Sequence, residues 1–251
     1  MSGLKIYGAK PKRMYIGGLK AKKVYCMGER VWSAGNIVTY IVDGTEYKEE
    51  VESGNSVLSP TSFTPTKAGY TFSGWSLTSG GDILTELIMD SEPITLYACW
   101  TFNTIDVYAG TWSLYSSSKG NGGAVDVSNK QLHVAGYSIY GGADYYSSGG
   151  YKGNTAITNA SGHILMYNFS FTRNKSNQGT AYIYLYNATT GENITLKSST
   201  SEGTLSGSVL ISNNNTYYVR AYLSDIGATG AVATSDTQTH AYITCNSCYV
   251  S

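Results

Sequence analysis

The sequence predicts an all-β protein, and three observations carry the prediction. Charged residues make up only 14% of the 251-residue chain, well below the roughly 25% of an average soluble domain. Their place is taken by Ser, Thr, Asn, Gly and 23 Tyr; Tyr and Thr suit a pleated, half-buried surface, while Gly and Asn suit tight turns. No long run carries apolar residues at the i, i+3, i+4, i+7 spacing of an amphipathic helix, whereas Tyr182-Ile183-Tyr184-Leu185-Tyr186 and Tyr217-Tyr218-Val219-Arg220-Ala221-Tyr222 alternate with the period of a strand.

Charge divides the chain into blocks. Residues 1–35 hold eight basic residues against Glu29 alone, residues 36–100 hold Lys48 and Lys67 against nine acidic residues, and the remainder balances seven against seven. A +7 segment next to a −7 segment marks boundaries near 35 and 100, and the basic segment is expected to meet something acidic. Three parts follow: an arm (1–35), a small module (36–100) and a β-sandwich (101–251).

The arm repeats. Lys10-Pro11-Lys12-Arg13-Met14-Tyr15-Ile16-Gly17-Gly18 aligns with Lys20-Ala21-Lys22-Lys23-Val24-Tyr25-Cys26-Met27-Gly28; Leu4 to Gly8 is a partial earlier copy, and the last unit ends in Arg30-Val31-Trp32. Each unit reads as a strand of four or five residues, a glycine turn and a basic return. Strands this short need neighbouring copies or another surface to bury their apolar side. The Lys-Lys-Val-Tyr-x-x-Gly-x-x-Val-Trp pattern of residues 22–32 resembles the short N-terminal repeats of many tailed-bacteriophage virion proteins, fibre and appendage proteins among them. The resemblance implies attachment to other virion proteins, capsid or tail, with Lys12, Arg13, Tyr15, Lys22, Lys23, Tyr25 and Trp32 as anchoring residues.

In the module, Ile37 to Val42 leads into Asp43-Gly44, and Glu46 to Val51 returns; Asp-Gly between two such runs is a strong hairpin signal. Lys67-Ala68-Gly69-Tyr70-Thr71-Phe72-Ser73-Gly74-Trp75-Ser76 follows, and Ile94-Thr95-Leu96-Tyr97-Ala98-Cys99-Trp100 closes the segment. About 65 residues make a marginal domain, so an aromatic core of Tyr70, Phe72, Trp75, Leu96 and Trp100 is expected to hold it. The Gly-Tyr-x-Phe-x-Gly-Trp and Ile-Thr-Leu-Tyr-Ala-x-Trp patterns resemble the internalin B-repeat, or Listeria–Bacteroides repeat. The resemblance implies a β-grasp-like spacer or adhesion module without chemistry of its own. Ile83 to Met89 is more apolar than in many copies of that repeat, which suggests a contact with the neighbouring domain.

The third part is expected to be a jelly-roll-like sandwich of about eight strands: 105–109, 131–135, 163–172, 180–187, 193–197, 204–212, 216–223 and 239–244, with turn clusters between. Between them lies Gly136 to Tyr151, rich in Tyr, Gly and Ser. It reads as a surface loop, and Tyr137, Tyr140, Tyr145, Tyr146 and Tyr151 are the residues there suited to gripping a sugar or a protein, since Tyr offers a flat amphipathic surface with few torsions to freeze.

Catalytic signatures are missing from the sequence. There is no G-x-S-x-G elbow, H-E-x-x-H helix or G-x-x-x-x-G-K-[ST] loop. The acids of the last 150 residues are scattered, without the paired setting a glycosidase needs. His133, His163 and His240 have no Cys, Asp or second His at ligand spacing. The C-x-x-C of Cys245 and Cys248 lacks the second pair that a structural zinc requires, and Cys26 and Cys99 add no disulfide framework. No catalytic residue, metal or cofactor is therefore expected. Neither a signal peptide nor an apolar stretch of membrane-spanning length is seen, and net charge is zero, which weighs against nucleic acid as the arm's partner.

The expectation is a non-enzymatic structural protein on the surface of a phage virion, as head fibre, capsid decoration or tail fibre. It would be assembled in the bacterial cytoplasm, be homo-oligomeric, and present its sandwich to a host glycan or protein. The alternatives are a bacterial cell-surface adhesin and, behind it, a polysaccharide depolymerase.

Overall fold

The computed structural model describes residues 14–16, 19–21, 23–26, 29–33, 35–90, 92–138, 144–174, 179–227 and 237–251. All regular structure among them is β, in twenty strands. The chain divides into two compact units, Met1–Phe102 and Asn103–Ser251.

Among the described residues, the arm of the first unit holds two hairpins. β1 (Met14–Ile16) pairs with β2 (Leu19–Ala21), and β3 (Lys23–Cys26) pairs with β4 (Glu29–Ser33) across a bulge. Tyr15 lies opposite Lys20, Tyr25 opposite Arg30 and Val24 opposite Trp32. The strand expected in each repeat unit is thus paired in a hairpin with the residues that follow it. Lys12, Arg13 and Lys22 lie outside the described residues, as does the partial copy at 4–8.

The rest of this unit is a four-stranded sheet of β5 (Gly35–Val42), β6 (Thr45–Glu52), β7 (Tyr70–Ser76) and β8 (Ile94–Phe102), in the order β6-β5-β8-β7. The first and last strands pair in parallel at its centre, and both flanking pairs are antiparallel. This is the sheet of a β-grasp, with irregular chain in the long connections. Asp43 and Gly44 both take positive φ, 50° and 85°, which a two-residue hairpin turn of matching twist demands. A bulge between Phe72 and Gly74 brings Phe72 and Trp75 together, their rings 5.1 Å apart.

One face of the sheet buries Val38, Tyr40, Val42, Val57, Trp75, Met89 and Leu96, with Phe72 and Trp100 packed at its margin. Tyr70 is not part of this cluster. It sits at the sheet end against Phe102, under the Lys67 ammonium. Tyr40 takes the central position instead, 4.8 Å from Trp75 ring to ring, its hydroxyl donating to the Val57 carbonyl at 2.9 Å. The apolar segment 83–89 is likewise explained within the module. Leu84, Leu87 and Met89 pack onto this core, and backbone bonds from Leu84 to Trp75 and from Gly54 to Met89 hold it there.

The second unit is a sandwich of antiparallel sheets. One contains β10 (Trp112–Ser118), β14 (Ser147–Gly153), β19 (Tyr217–Ile226), β16 (Thr180–Asn187) and β17 (Glu192–Ser199), in that order. The other contains β11 (Ala124–Ser128), β12 (Gln131–Ser138), β20 (Thr237–Val250), β15 (Ile164–Arg173) and β18 (Gly203–Leu210), with β9 (Ile105–Asp106) and β13 (Asp144–Tyr145) added at β20 and β12. The orders β12-β20-β15-β18 and β14-β19-β16-β17 are those of an eight-stranded jelly roll, which β11 and β10 each extend by one edge strand. Alternation along β16 and β19 sends Ile183, Leu185, Tyr217, Val219, Ala221 and Leu223 into the core and Tyr182, Tyr184, Tyr186, Tyr218 and Tyr222 outward.

Two sequence expectations are corrected here. The strand expected at 105–109 stops at Asp106, whose carboxylate accepts the Ala109 amide at 2.8 Å and turns the chain. The expected surface loop at 136–151 is mostly sheet. Gly136 belongs to β12, and Ser147 to Tyr151 opens β14, an inner strand between β10 and β19. Its glycines answer close approach rather than turning. A Cβ on Gly149 would come within 2.5 Å of Val125 Cγ1 in the facing sheet, and one on Gly150 within 2.5 Å of the Tyr115 ring.

Candidate functional site

The outward face of the five-stranded sheet is paved with tyrosine. Strand alternation puts Tyr182, Tyr184 and Tyr186 of β16 on that face, beside Tyr218 and Tyr222 of β19. Cross-strand register aligns Tyr182 with Tyr222 and Tyr186 with Tyr218. Tyr115 joins them from β10 at a bulge between Leu114 and Ser116, its ring lying over the space that Gly150 leaves open. All six are half-buried. The Tyr182 and Tyr184 rings are nearly parallel, 6° apart with centroids at 5.6 Å, and Tyr222 is tilted 47° from Tyr182 at 6.5 Å.

At the middle of this pavement stands Arg220, on the central strand. Its guanidinium carbon is 3.3 Å from the Tyr186 ring centroid and 4.4 Å from that of Tyr115, so a tyrosine attends it on either side. Its Nη1 reaches Asn193 Oδ1 at a long 3.4 Å, and its Nε is buried without a hydrogen-bond partner among the described residues. Lys152 is directly opposite Arg220 on β14, its ammonium 4.8 Å from the Tyr218 ring centroid. Burial pushes the Tyr115 hydroxyl up to about 12, partly offset by Arg220, and burial with Tyr182 and Tyr222 nearby also raises Tyr184. Those phenols stay protonated at neutral pH and offer both a donor and acceptor lone pairs. Flat apolar ring faces, polar rims and a fixed cation form a platform suited to stacking and orienting a ligand rich in hydroxyl groups.

The other sheet carries a polar cluster on its outer face. His133 Nδ1 is 2.8 Å from Asp126 Oδ2, and His133 Nε2 is 2.9 Å from His240 Nδ1. The His133 ring stacks on both His240 and Tyr242, with centroids at 5.2 and 4.8 Å. The sequence expectation that no Asp or second His stands near these histidines is therefore corrected for His133 and His240; β11, β12 and β20 lie side by side, so register joins what 107 residues of chain separate. Each ring nitrogen at these contacts is spent on a neighbour. Among the described residues, no group of three or more His, Cys, Asp or Glu side chains is placed to hold a metal ion.

The residues expected to bind a ligand scatter. Tyr151 is fully buried, its hydroxyl donating to the Lys130 carbonyl at 2.9 Å, and is a core residue rather than a binding one. Its side chain points inward because β14 is a strand of the sandwich and not a loop. Tyr137 and Tyr145 face each other across the β12–β13 pairing, Tyr146 is 46% exposed, and Tyr140 lies outside the described residues. Of the four that are described, none belongs to the tyrosine pavement. The signal for that pavement was present in the sequence as the period-two tyrosines of β16 and β19, which read equally as sheet surface.

Residues 37–99 match the model of the Listeria-Bacteroides repeat domain. No curated protein sequence matches the chain. Solved structures to which it is similar include a mutant of the family 29 carbohydrate-binding module CBM29-2, at 12% identity over 57% of this chain and 92% of that one, with a TM-score of 0.28. Another is the N-terminal cellulose-binding domain of β-1,4-glucanase C from Cellulomonas fimi, at 14% identity over 56% and 91%, TM-score 0.29. A third is a family 32 carbohydrate-binding module of NanJ from C. perfringens in complex with galactose, at 13% identity over 56% and 99%, TM-score 0.23. This is a modular all-β chain, in which a Listeria-Bacteroides repeat module precedes a jelly-roll sandwich. Among the described residues, no helix is long and apolar enough to cross a membrane.

Proposed function

We propose that this chain is a non-enzymatic attachment protein whose sandwich binds a glycan on the tyrosine face of its five-stranded sheet. The observation that carries the reading is the pavement itself: six half-buried tyrosines on one sheet face, two nearly parallel, with Arg220 against two of them and Lys152 against a third. A sugar ring stacks its apolar face on such rings while its hydroxyls meet the phenol rims. The Listeria-Bacteroides repeat module acts as a spacer, and the basic hairpin arm as the anchor. A glycan array probed with the protein and with Tyr182→Ala and Tyr184→Ala tests this directly. Binding is expected, with a loss of about tenfold or more in each variant, the scale at which a stacked aromatic anchor acts. A profile unchanged by both substitutions would remove the face from the reading.

The finer reading places the chain on the outside of a tailed-bacteriophage particle, as head fibre, capsid decoration or tail fibre. Supporting it are the resemblance of residues 22–32 to virion repeats and the excess of seven positive charges in the arm. Mass spectrometry of purified particles should find the chain, and deletion of residues 1–33 should abolish incorporation while the remainder stays folded. Absence from particles would favour a bacterial cell-surface adhesin, a role in which the Listeria-Bacteroides repeat is equally at home.

A further inference from the structure

We propose that the ligand of the tyrosine face is an acidic polysaccharide, and that Arg220 and Lys152 together receive a carboxylate carried by its sugars. The inference rests on the reading of that face as a glycan site and adds the chemical class of the glycan.

Lys152 and Arg220 are partners in the β14–β19 register, and like charges directly opposite each other on a sheet face destabilise it. Two adjacent cations at the centre of a sheet therefore call for an anion. Neither has an ion pair with a carboxylate among the described residues. The strands of this sheet contain two acids, both near strand ends: Glu192 opens β17, its Oε2 accepting the Thr190 hydroxyl, and Asp225 is the second-last residue of β19. Each cation is held instead by aromatic rings, Lys152 by Tyr218 and Arg220 by Tyr186 and Tyr115.

That holding leaves the charge uncompensated and shapes how it is presented. Rings flank the guanidinium, so its edge is what remains for a ligand, and among the described residues its Nη1 has a single long contact, to the neutral Asn193 oxygen. A planar fork fixed in this way matches a carboxylate, which it binds through two parallel N–H···O bonds. Lys152 adds a second positive charge one strand away. Tyr184, which flanks Arg220 on the other side in register, supplies the stacking surface for the sugar ring that bears the carboxylate.

The test uses the full chain and matched polymers: polygalacturonate, alginate and hyaluronan, each beside its own carboxyl-reduced form. Affinity electrophoresis and titration calorimetry give the affinities. At least one acidic polymer is expected to bind, and about tenfold or more of its affinity should vanish on carboxyl reduction, the scale of a charge-assisted hydrogen bond. Arg220→Gln and Lys152→Gln should each produce a comparable loss. Arg220→Lys, which keeps the charge but not the fork, should retain part of the binding, and raising salt should weaken it. Thermal unfolding of each variant separates lost binding from lost folding. Equal affinity for acidic and reduced polymers, still sensitive to Tyr184→Ala, would overturn the acidic class and leave the glycan site standing. No binding to any polymer or array glycan would overturn both. A dimer that dissociates on Arg220→Gln would show that a second copy covers the face, and would also overturn the proposal.

Discussion

Removing the buried hydroxyl of Tyr40 in the module should cost more than removing that of Tyr151 in the sandwich. Both are fully buried and both donate to a backbone carbonyl at 2.9 Å, Tyr40 to Val57 and Tyr151 to Lys130. The acceptors differ. The Lys130 carbonyl also takes the Cys245 amide at 3.0 Å, so Tyr151→Phe leaves it bonded. Among the described residues the Val57 carbonyl accepts the Tyr40 hydroxyl and no backbone amide, so Tyr40→Phe strands it. Loss of one bond from a still-satisfied acceptor costs about 0.5–1.5 kcal/mol, and leaving a buried acceptor unsatisfied about 1–3 kcal/mol. Hydrogen exchange measured peptide by peptide on the full chain reads each unit separately. Tyr40→Phe should speed exchange in β5 and β8 by about 5- to 150-fold, and Tyr151→Phe that in β14 and β19 by about 2- to 13-fold. Equal effects, or a larger one from Tyr151→Phe, would refute the accounting by acceptor.

Two further outcomes follow from the sandwich. Burial, then the neighbouring His133, lowers the His240 pKa below its ordinary value. The unfolded chain therefore binds more protons than the folded one in the window below about 6.5, and stability should fall as pH falls through that window. His240→Gln should flatten that part of a stability-against-pH curve, and a slope the substitution leaves unchanged would exclude His240 as its source. Burial pushes the Cys245 thiol up to about 12 and raises Cys248 as well. Neither should react with a thiol-specific reagent at pH 8 until guanidinium unfolds the chain; native labelling as fast as that of free cysteine would contradict their placement.

Legibility of the fold followed the strength of local pattern. β16 was readable to the residue because Thr180 to Asn187 alternates without a break, and the β5–β6 hairpin because Asp43-Gly44 admits few other conformations. β14 was not, because glycine in a sequence signals a turn, whereas Gly149 and Gly150 are there to let Val125 and Tyr115 come close. That distinction depends on the facing sheet and is invisible locally. The central place of Tyr40 is not legible from the aromatic motif that holds Tyr70 and Trp75, because it depends on the pairing of β5 with β8 and on the segments that cover that sheet face. The candidate site divides along the same line. Its tyrosines on β16 and β19 were legible as a period, but the meeting of Arg220, Lys152 and Tyr115 needed the register of three strands and a bulge. The Asp126–His133–His240 row likewise exists only once β20 lies beside β12.

The parallel pairing at the centre of the module has a mechanical consequence. β5 enters the module and β8 leaves it, and they run side by side in the same direction through Val38–Ile94, Thr39–Thr95, Tyr40–Leu96 and Ile41–Tyr97. Tension applied along the chain pulls the start of β5 and the end of β8 opposite ways along this ladder. Its evenly spaced bonds are then sheared together rather than peeled one after another. Rupture must break the whole set at once, with the Tyr40–Trp75 contact beneath it, so resistance to force is governed by a slow unfolding rate rather than by equilibrium stability. A module built in this way holds its length under tension.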